Sequence, residues 1–422
     1  MDPVGAPREG SFSRCAAGRL TRGLVFLGAV LVVLAVLAAP MPGSPVPATR
    51  AQEAAEARVF TYFYYWYRPP GEDSKGQANL TNHFPPDRPP DWRSKSWYLG
   101  QFADMQAAGV DVALAVYWGR ELYRQTSWST DGLEPMIEAL DELAAQGAPS
   151  PKIGLFLDTY VLEGADLTNP KKQSWLATQI KGFFRRVPSG HRATQDGRPI
   201  IWLYLSDYAN GFDQDTFANL SDRLEGDLGA RPFWVAETSW ANPTWTDGQG
   251  RRHFDPARLM PFDAFYRWGA ASSGTLFVDQ PLPVASVGPG YDDSGIKWRG
   301  DGERSDRLRE SGCFYARNWR KAQALGARWV AIETWNELYE GSGIAETVEW
   351  GRAYIDATAT YSAAFKGGQP IALPPSCPEV PDEDQPPPDE PAPPPGSGPA
   401  APTATPAATP ATGRNGDGVA GR

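Results

Sequence analysis

The stretch Trp329–Glu346 reads WVAIETWNELYEGSGIAE, and it places a polar cluster directly after a short apolar run. The run Trp329–Ile332 is followed by Gly-punctuated polar residues, which predicts a buried strand that ends where the cluster begins. Glu337 and Glu340 follow it. Two carboxylates that face one cleft suit glycosidic cleavage, because one can donate a proton while the other stays ionised. The alternative is that such residues only cap a helix or bind loop amides.

Similar apolar runs recur along the chain, and helical patterns separate most of them. The other predicted strands are Arg58–Tyr67, Val110–Trp118, Lys152–Tyr160, Pro199–Ser206, Phe233–Trp240, Ala264–Trp268 and Pro283–Tyr291. The predicted helices are Trp97–Ala108, Leu133–Gln146, Gln173–Arg185, Phe217–Leu228, Arg304–Leu325 and Thr347–Phe365. Strands that are apolar throughout are typical of parallel sheets buried on both faces. We therefore predict the α/β class and a (β/α)8 TIM barrel with enlarged loops at its C-terminal face.

An open doubly wound sheet is the alternative fold, but no Gly-rich phosphate loop follows the first strand. Polar and aromatic residues follow each predicted strand, and in a barrel these strand ends meet at one mouth, where active sites form. Each of these residues could instead cap a loop or fill the top of the barrel. The candidate substrate-binding residues are Tyr65, Trp66, His83, Trp118, Asp158, Glu237, Trp240, Tyr291, Asp292, Trp335 and Asn336.

The composition narrows the class of partner. The chain has 422 residues, of which 16 are Trp, and aromatic rings are common both in sugar-binding clefts and in cores. The net charge is -10 and the body of the chain has no basic cluster, so we do not expect nucleic acid as a partner. Three His residues and no Cys/His cluster with zinc spacing predict no metal site, and we expect no cofactor.

The two ends of the chain differ from its body. In residues 1–51, four arginines precede the apolar run Gly23–Ala39, which is the pattern of a signal peptide; an uncleaved anchor is the alternative. Residues 375–422 are rich in Pro, Ala and Thr, as in a disordered tail. We expect a secreted monomer with its barrel at residues 57–374, and a membrane contact only if the N-terminal helix is uncleaved. Cys313 and Cys377 either pair or remain two buried thiols.

Three motifs resemble glycoside hydrolase family 99 and its relatives, the endo-α-mannosidase-like barrels, over residues 58–365. YYWY (64–67) is similar to the aromatic run that opens the barrel of that family, and VGPGYDD (287–293) is similar to its PGY motif. WNELYEG (335–341) is similar to its NEWHEG motif, with Leu338 and Tyr339 where the family has Trp and His.

The resemblance implies a role for each carboxylate. Glu337 corresponds to the base that acts on the sugar 2-hydroxyl, which attacks C1 and gives a 1,2-anhydro sugar. Glu340 corresponds to the acid that protonates the leaving oxygen and later activates water. Such an acid must hold a proton near neutral pH, so we expect Glu340 in a drier or more anionic position, and Glu337 ionised.

We therefore expect an exported, retaining glycoside hydrolase that acts on a poly- or oligosaccharide with α-linkages, either a mannan or a related α-glycan. Two other functions remain open at the level of sequence. One is a carbohydrate-binding barrel without catalysis, and the other is a surface scaffold held by the N-terminal segment with the tail as a spacer.

Overall fold

The computed structural model describes residues 56–69, 83–119, 127–241, 245–246, 252–253, 262–294, 296 and 305–378. The predicted signal segment and the predicted tail beyond residue 378 lie outside this part of the chain. Within it, no helix combines the length and the apolar character that a membrane span requires.

Eight parallel strands form the barrel wall. We number them β1 Arg58–Phe63, β2 Val112–Tyr117, β3 Lys152–Leu157, β4 Arg198–Leu203, β5 Phe233–Glu237, β6 Ala264–Tyr266, β7 Val284–Val287 and β8 Trp329–Ile332. Their hydrogen-bonded order is β6-β5-β4-β3-β2-β1-β8-β7. In the described chain no ladder joins β6 to β7, because β6 has three residues and Leu276–Val278 pairs antiparallel with β7 instead. The (β/α)8 prediction is confirmed.

Six longer helices accompany the strands. They are α1 Lys95–Ala107, α2 Leu133–Ala145, α3 Pro170–Arg186, α4 Gln214–Leu228, α5 Cys313–Ala324 and α6 Ala353–Lys366. Local sequence explains several ends. Asn169 caps α3 through the amide of Lys171, with Pro170 at the first helical position. Asp213 and Thr216 form a reciprocal capping box at the start of α4.

The last two helices begin later than predicted. Gly312, at the N-cap of α5, has a φ of 92°, which ends the preceding turn, and Asp306–Arg307 pairs with Tyr291–Asp292 as a small antiparallel ladder. Before α6, the amide of Gly351 donates to the carbonyl of Thr347 at 2.8 Å, which closes a tight loop. Both segments are therefore loops at the mouth of the barrel.

The strands also end earlier than predicted. The sequence predicts strands to Tyr67, Tyr160 and Trp240, whereas β1, β3 and β5 end at Phe63, Leu157 and Glu237. After β3 and β5, 3-10 turns at Thr159–Leu162 and Thr238–Ala241 replace the strand. Strand-forming aromatic residues at these positions therefore build the rim of the barrel.

Aromatic side chains fill the barrel interior in layers. In the lower layer, the ring of Phe60 lies 5.4 Å from Trp202 and 4.7 Å from Trp329. In the layer above, Tyr62 lies 4.8 Å from Phe156 and 4.9 Å from Trp268. Such pairs stabilise a core by about 0.5–1.5 kcal/mol each beyond their buried area. The interior is thus a packed core, with its mouth above Tyr62.

Cys313 and Cys377 form a disulfide, with their Cα atoms 5.3 Å apart. The bond joins the first residue of α5 to the segment that follows α6, and Cys377 itself is buried. Of the two alternatives for these cysteines, pairing is the one that the structure contains. The ordered body consequently continues a few residues beyond the predicted boundary at 374.

Candidate active site

Glu337 and Glu340 both lie close to the side chain of Tyr64, which follows β1. Burial raises the pKa of the Tyr64 hydroxyl well above its usual value, and the negative charges of Glu337 and Glu340 raise it further. Glu337 also raises the pKa of Tyr67, and Glu340 that of Tyr204, in each case after the larger effect of burial. Both carboxylates therefore influence phenols that lie at the mouth of the barrel.

The turn after β8 fixes the position of Glu337. Its amide donates to the Thr334 hydroxyl at 2.8 Å, and its carboxylate accepts from the amide of Tyr339 at 2.9 Å. The hydroxyl of Tyr67 donates to the Asn336 carbonyl at 2.6 Å and accepts from the amide of Leu338 at 3.1 Å. The predicted base is therefore held in an ordered turn and accepts a backbone amide hydrogen bond.

Glu340 lies at the other end of the same turn. Its carbonyl accepts from the amide of Asp292 at 2.8 Å, and the residue is partly exposed, whereas Glu337 is 4% exposed. The drier of the two positions thus belongs to Glu337, in contrast to the expectation for the acid. Burial is the main cause that raises the pKa of Glu333, and the charge of Glu340 is a smaller one.

Trp335 and Asn336 hold the turn against β1. The Asn336 side-chain oxygen accepts from the amide of Tyr64 at 2.8 Å, and its amide nitrogen donates to the Tyr64 carbonyl at 2.7 Å. The Trp335 ring nitrogen donates to Gln101 at 2.7 Å. Both side chains are fully buried, so the structure gives them a role in positioning the carboxylates.

Asp158 and Trp118 form one wall of the mouth. The Trp118 ring nitrogen donates to the Asp158 carboxylate at 2.8 Å, and the amide of Tyr160 donates to the same group at 3.1 Å. Burial raises the pKa of Asp158 to about 6, against these two hydrogen bonds. The ring of Tyr160, which is 40% exposed, lies 5.7 Å from Trp118. This wall combines a carboxylate with open aromatic surface.

Trp66 extends the same aromatic surface towards the turn that carries Glu337 and Glu340. Its ring lies 4.7 Å from Tyr64, 6.0 Å from Trp118 and 6.3 Å from Tyr339. Trp66 keeps part of its surface exposed, as Trp118 does. The structure thus brings together Glu337, Glu340, Asp158 and two of the predicted aromatic residues.

Three other predicted residues lie away from open surface. Tyr65 is fully buried, and its hydroxyl donates to the Ser129 carbonyl at 2.8 Å. Trp240 is 1% exposed, its ring nitrogen donates to the Tyr204 carbonyl, and its ring packs on Phe212. The carboxylate of Glu237 accepts from Thr238 and Ser239 and so caps the turn after β5. The contacts of Tyr65 and Trp240 are therefore those of core residues, and the contacts of Glu237 are those of a turn cap.

His83, Tyr291 and Asp292 lie in a cavity that borders the turn that carries Glu337 and Glu340. They line a cavity of about 800 Å³ together with Leu338 and Gly341 of that turn. His83 pairs with Glu349 through its Nδ1. These three residues therefore belong to a cavity whose described lining includes neither Glu337 nor Glu340.

Sequence reasoning missed Tyr64, Tyr204, Trp268 and Glu333, which face the barrel axis. Trp268 lies 5.2 Å from Tyr204 and 4.9 Å from Tyr62. The Glu333 carboxylate is buried, accepts from the amides of Gly269 and Ala271 at 3.0 and 3.2 Å, and has its pKa raised by burial to about 8. Alternation along β1 was a usable signal for Tyr64, since Tyr62 and Tyr64 must share a face.

No group of three or more His, Cys, Asp or Glu side chains in the described part of the chain has the arrangement of a metal site. The chemistry of the mouth is that of carboxylates and phenols among aromatic rings. Such a site can donate and accept protons and pack against flat, weakly polar faces.

A (β/α)8 barrel with paired carboxylates at the end of its last strand defines the class of this protein. A family model described as a domain of unknown function (DUF5010) matches residues 67–370, and the chain belongs to this family. No curated protein matches the sequence.

Solved structures share the fold. The GH99 endo-alpha-mannosidase from Bacteroides thetaiotaomicron superposes with a TM-score of 0.53 at 19% identity, over 74% of this chain and 97% of that chain. A glycoside hydrolase-like protein superposes with a TM-score of 0.51 at 12% identity, over 76% of this chain and 97% of that chain. The GH99-like fold that the three motifs predicted is confirmed.

Proposed function

We propose that this protein is a retaining glycoside hydrolase that cleaves α-glycosidic bonds in a mannan or a related α-glycan. The observation that supports the proposal is that Glu337 and Glu340 belong to one hydrogen-bonded turn after β8, at the mouth of the barrel, and that both carboxylates raise the pKa of Tyr64 in addition to its burial. Two carboxyl groups in one cleft are what hydrolysis of a glycosidic bond requires. The GH99-like fold supports the choice of α-linked substrates, since the endo-alpha-mannosidase has the same architecture.

Both carboxylates act in the first step. Glu337 takes the proton of the sugar 2-hydroxyl, whose oxygen attacks C1 while Glu340 gives its proton to the leaving oxygen. The products are a 1,2-anhydro sugar and the released alcohol. The ordered turn that holds Glu337 keeps its carboxylate aimed at one position, and orientation of this kind lowers the barrier by avoiding reorganisation.

The second step reverses the proton transfers. Glu340, now ionised, takes a proton from water, the water oxygen attacks C1, and Glu337 returns a proton to the 2-oxygen. Two inversions at C1 give net retention. Trp66 and Trp118 offer partly exposed rings beside the carboxylates, where the apolar face of a pyranose can pack.

The test compares Glu337→Gln and Glu340→Gln with the wild-type protein on α-mannans and α-glucans, with reducing-sugar release as the readout. We expect each variant to lower kcat by about 10²–10⁴-fold, the usual contribution of a positioned acid or base. Glu138→Gln, on the exposed face of α2, is the matched control and should leave kcat unchanged.

An aryl α-glycoside with an acidic phenol separates the two roles. Its leaving group needs no protonation, so the first step of Glu340→Gln should recover while that of Glu337→Gln should not. Proton NMR should show the α-anomer as the first product. Binding of glycans without turnover by the wild-type protein would instead establish the carbohydrate-binding barrel.

A further inference from the structure

The cavity of about 800 Å³ that borders the turn after β8 has no role in the mechanism above. Leu338, Gly341 and Gly343 form its wall towards the barrel, and the amide of Asp292 donates to the Glu340 carbonyl across that wall. Among the described residues that line it, neither Glu337 nor Glu340 is present. Binding cavities commonly measure about 300–1,000 Å³, so this one is large enough for an oligosaccharide.

Trp350 gives the cavity an aromatic platform. Its side chain is 45% exposed, which is unusual for the largest apolar residue. The guanidinium of Arg309 lies 5.5 Å from the ring centre, and Tyr354 meets the ring edge-on at 5.9 Å. Two exposed apolar side chains add to this surface. They are Leu308, which lines the cavity, and Val348, which lies in the chain between two lining residues. The Trp350 ring is thus partly exposed to solvent and is positioned by Arg309 and Tyr354. Such a ring can stack on a ligand that has a flat apolar face.

Polar groups surround this platform. His83 pairs with Glu349, and the exposed Asp292 carboxylate accepts from the amide of Ser294 at 2.9 Å. Five carboxylates and two arginines occur among the described lining residues. An anionic ligand would meet this excess of negative charge unfavourably, whereas hydroxyl groups can donate to carboxylates and accept from the imidazole.

Arg309 also connects the lining of the cavity to the turn that carries Glu337 and Glu340. The Nη2 atom of Arg309 donates to the carbonyls of Gly341 and Gly343, both at 2.7 Å. The Arg309 side chain therefore connects the wall of the cavity to the turn that carries Glu337 and Glu340. A polymer bound in the cavity would be held at a constant distance from the carboxylates.

We propose that this cavity is a second carbohydrate site, which binds a neutral segment of the same glycan that the barrel mouth cleaves. A pyranose ring packs on Trp350, and its hydroxyls bind Asp292 and the His83–Glu349 pair. The assignment of a glycan as ligand rests on the proposed function, whereas the place of the site rests on the cavity and its exposed Trp.

The test measures the Kd of α-mannan and α-glucan polymers for Glu340→Gln, in which turnover is blocked, alone and combined with Trp350→Ala or Trp350→Leu. We expect both combinations to raise the Kd by about tenfold or more, as loss of a central Trp commonly does. Trp350→Leu keeps apolar volume without a flat ring, and thermal melting should show that it is folded. Leu325→Ala, at an exposed apolar residue after α5 that does not line the cavity, should leave the Kd unchanged.

The outcomes separate this proposal from the proposed function. Glycan cleavage by the wild-type protein, together with an unchanged Kd in both Trp350 variants, would overturn the second site and leave the hydrolase. Glycan binding that depends on Trp350 without cleavage by the wild-type protein would retain the site and overturn the hydrolase. The absence of any glycan binding would overturn both.

Discussion

Tyr64 and Tyr65 are neighbours in the chain, yet their hydroxyls meet different surroundings. Tyr64 continues the inward face of β1 after Tyr62 and lies beside Glu337 and Glu340. Tyr65 continues the outward face and donates to the Ser129 carbonyl at 2.8 Å. Successive side chains of a strand point to opposite faces, so a shift of one residue exchanges a site residue for a packing residue.

This pair gives a matched test at the residue scale. Tyr64→Phe removes the hydroxyl whose pKa the two carboxylates raise, and a hydrogen bond from that hydroxyl to a charged transition state would contribute about 1.5–3 kcal/mol. We expect kcat/KM to fall by about tenfold or more, because each 1.4 kcal/mol is about tenfold in rate. Tyr65→Phe should lower the free energy of unfolding by about 1 kcal/mol and leave kcat/KM unchanged. Equal losses of activity in both variants would contradict this assignment.

The same alternation explains how far the site could be predicted. Glu337, Glu340, Asp158 and Trp118 follow strands closely, which is why the sequence predicts them as site residues. Tyr65 was chosen in place of Tyr64 because the aromatic run was considered as a block, without its faces. Glu333 gave no signal, since a single Glu after an apolar run does not reveal that its carboxylate will meet the amides of Gly269 and Ala271.

At the scale of elements, polar capping decides where strands become loops. Asp158 accepts from the amide of Tyr160, and Glu237 accepts from the amide of Ser239, so each carboxylate ends its strand and begins a 3-10 turn. Strand propensity of the following aromatic residues predicted longer strands. Strand propensity measures how well a side chain suits a half-buried surface. The rim of the barrel is such a surface, although its residues do not pair with a neighbouring strand.

Glu333 joins two elements, the end of β8 and the short helix Ala270–Ser273 after β6, and it predicts how stability depends on pH. Its pKa is raised from 4.5 to about 8, so the folded chain binds this proton more tightly than the unfolded chain. The proton therefore stabilises the fold at low pH, and the stabilisation is lost as the pH rises from about 4.5 to about 8.

Glu333→Gln resembles the protonated side chain at every pH. We expect its melting temperature to match that of the wild-type protein near pH 5 and to exceed it near pH 9. The difference arises because only the wild-type protein must then bury a charged carboxylate. Glu138→Gln, on the surface of α2, should follow the wild-type curve throughout. Parallel curves for Glu333→Gln and the wild-type protein would show that Glu333 does not titrate in this window.

At the scale of the whole molecule, the alternation of strands and helices was sufficient to predict the barrel, because parallel strands buried on both faces leave few other architectures. The pairing of Cys313 with Cys377 was beyond the reach of sequence, since two cysteines so far apart in the chain either meet or do not, depending on how α5 and α6 pack. In the structure the bond closes a loop with a sequence separation of 64 residues.

That bond stabilises the barrel at the point where its last two helices meet. A cross-link over a loop of this length removes enough entropy from the unfolded chain to stabilise the fold by about 4 kcal/mol. We expect Cys313→Ser and the double variant Cys313→Ser/Cys377→Ser to lower the urea midpoint by the same amount, because either removes the cross-link. Wild-type protein whose disulfide has been reduced should have the same urea midpoint as these variants. A single variant that is less stable than the double variant would mean that the remaining thiol, and not the missing bond, is responsible for the loss.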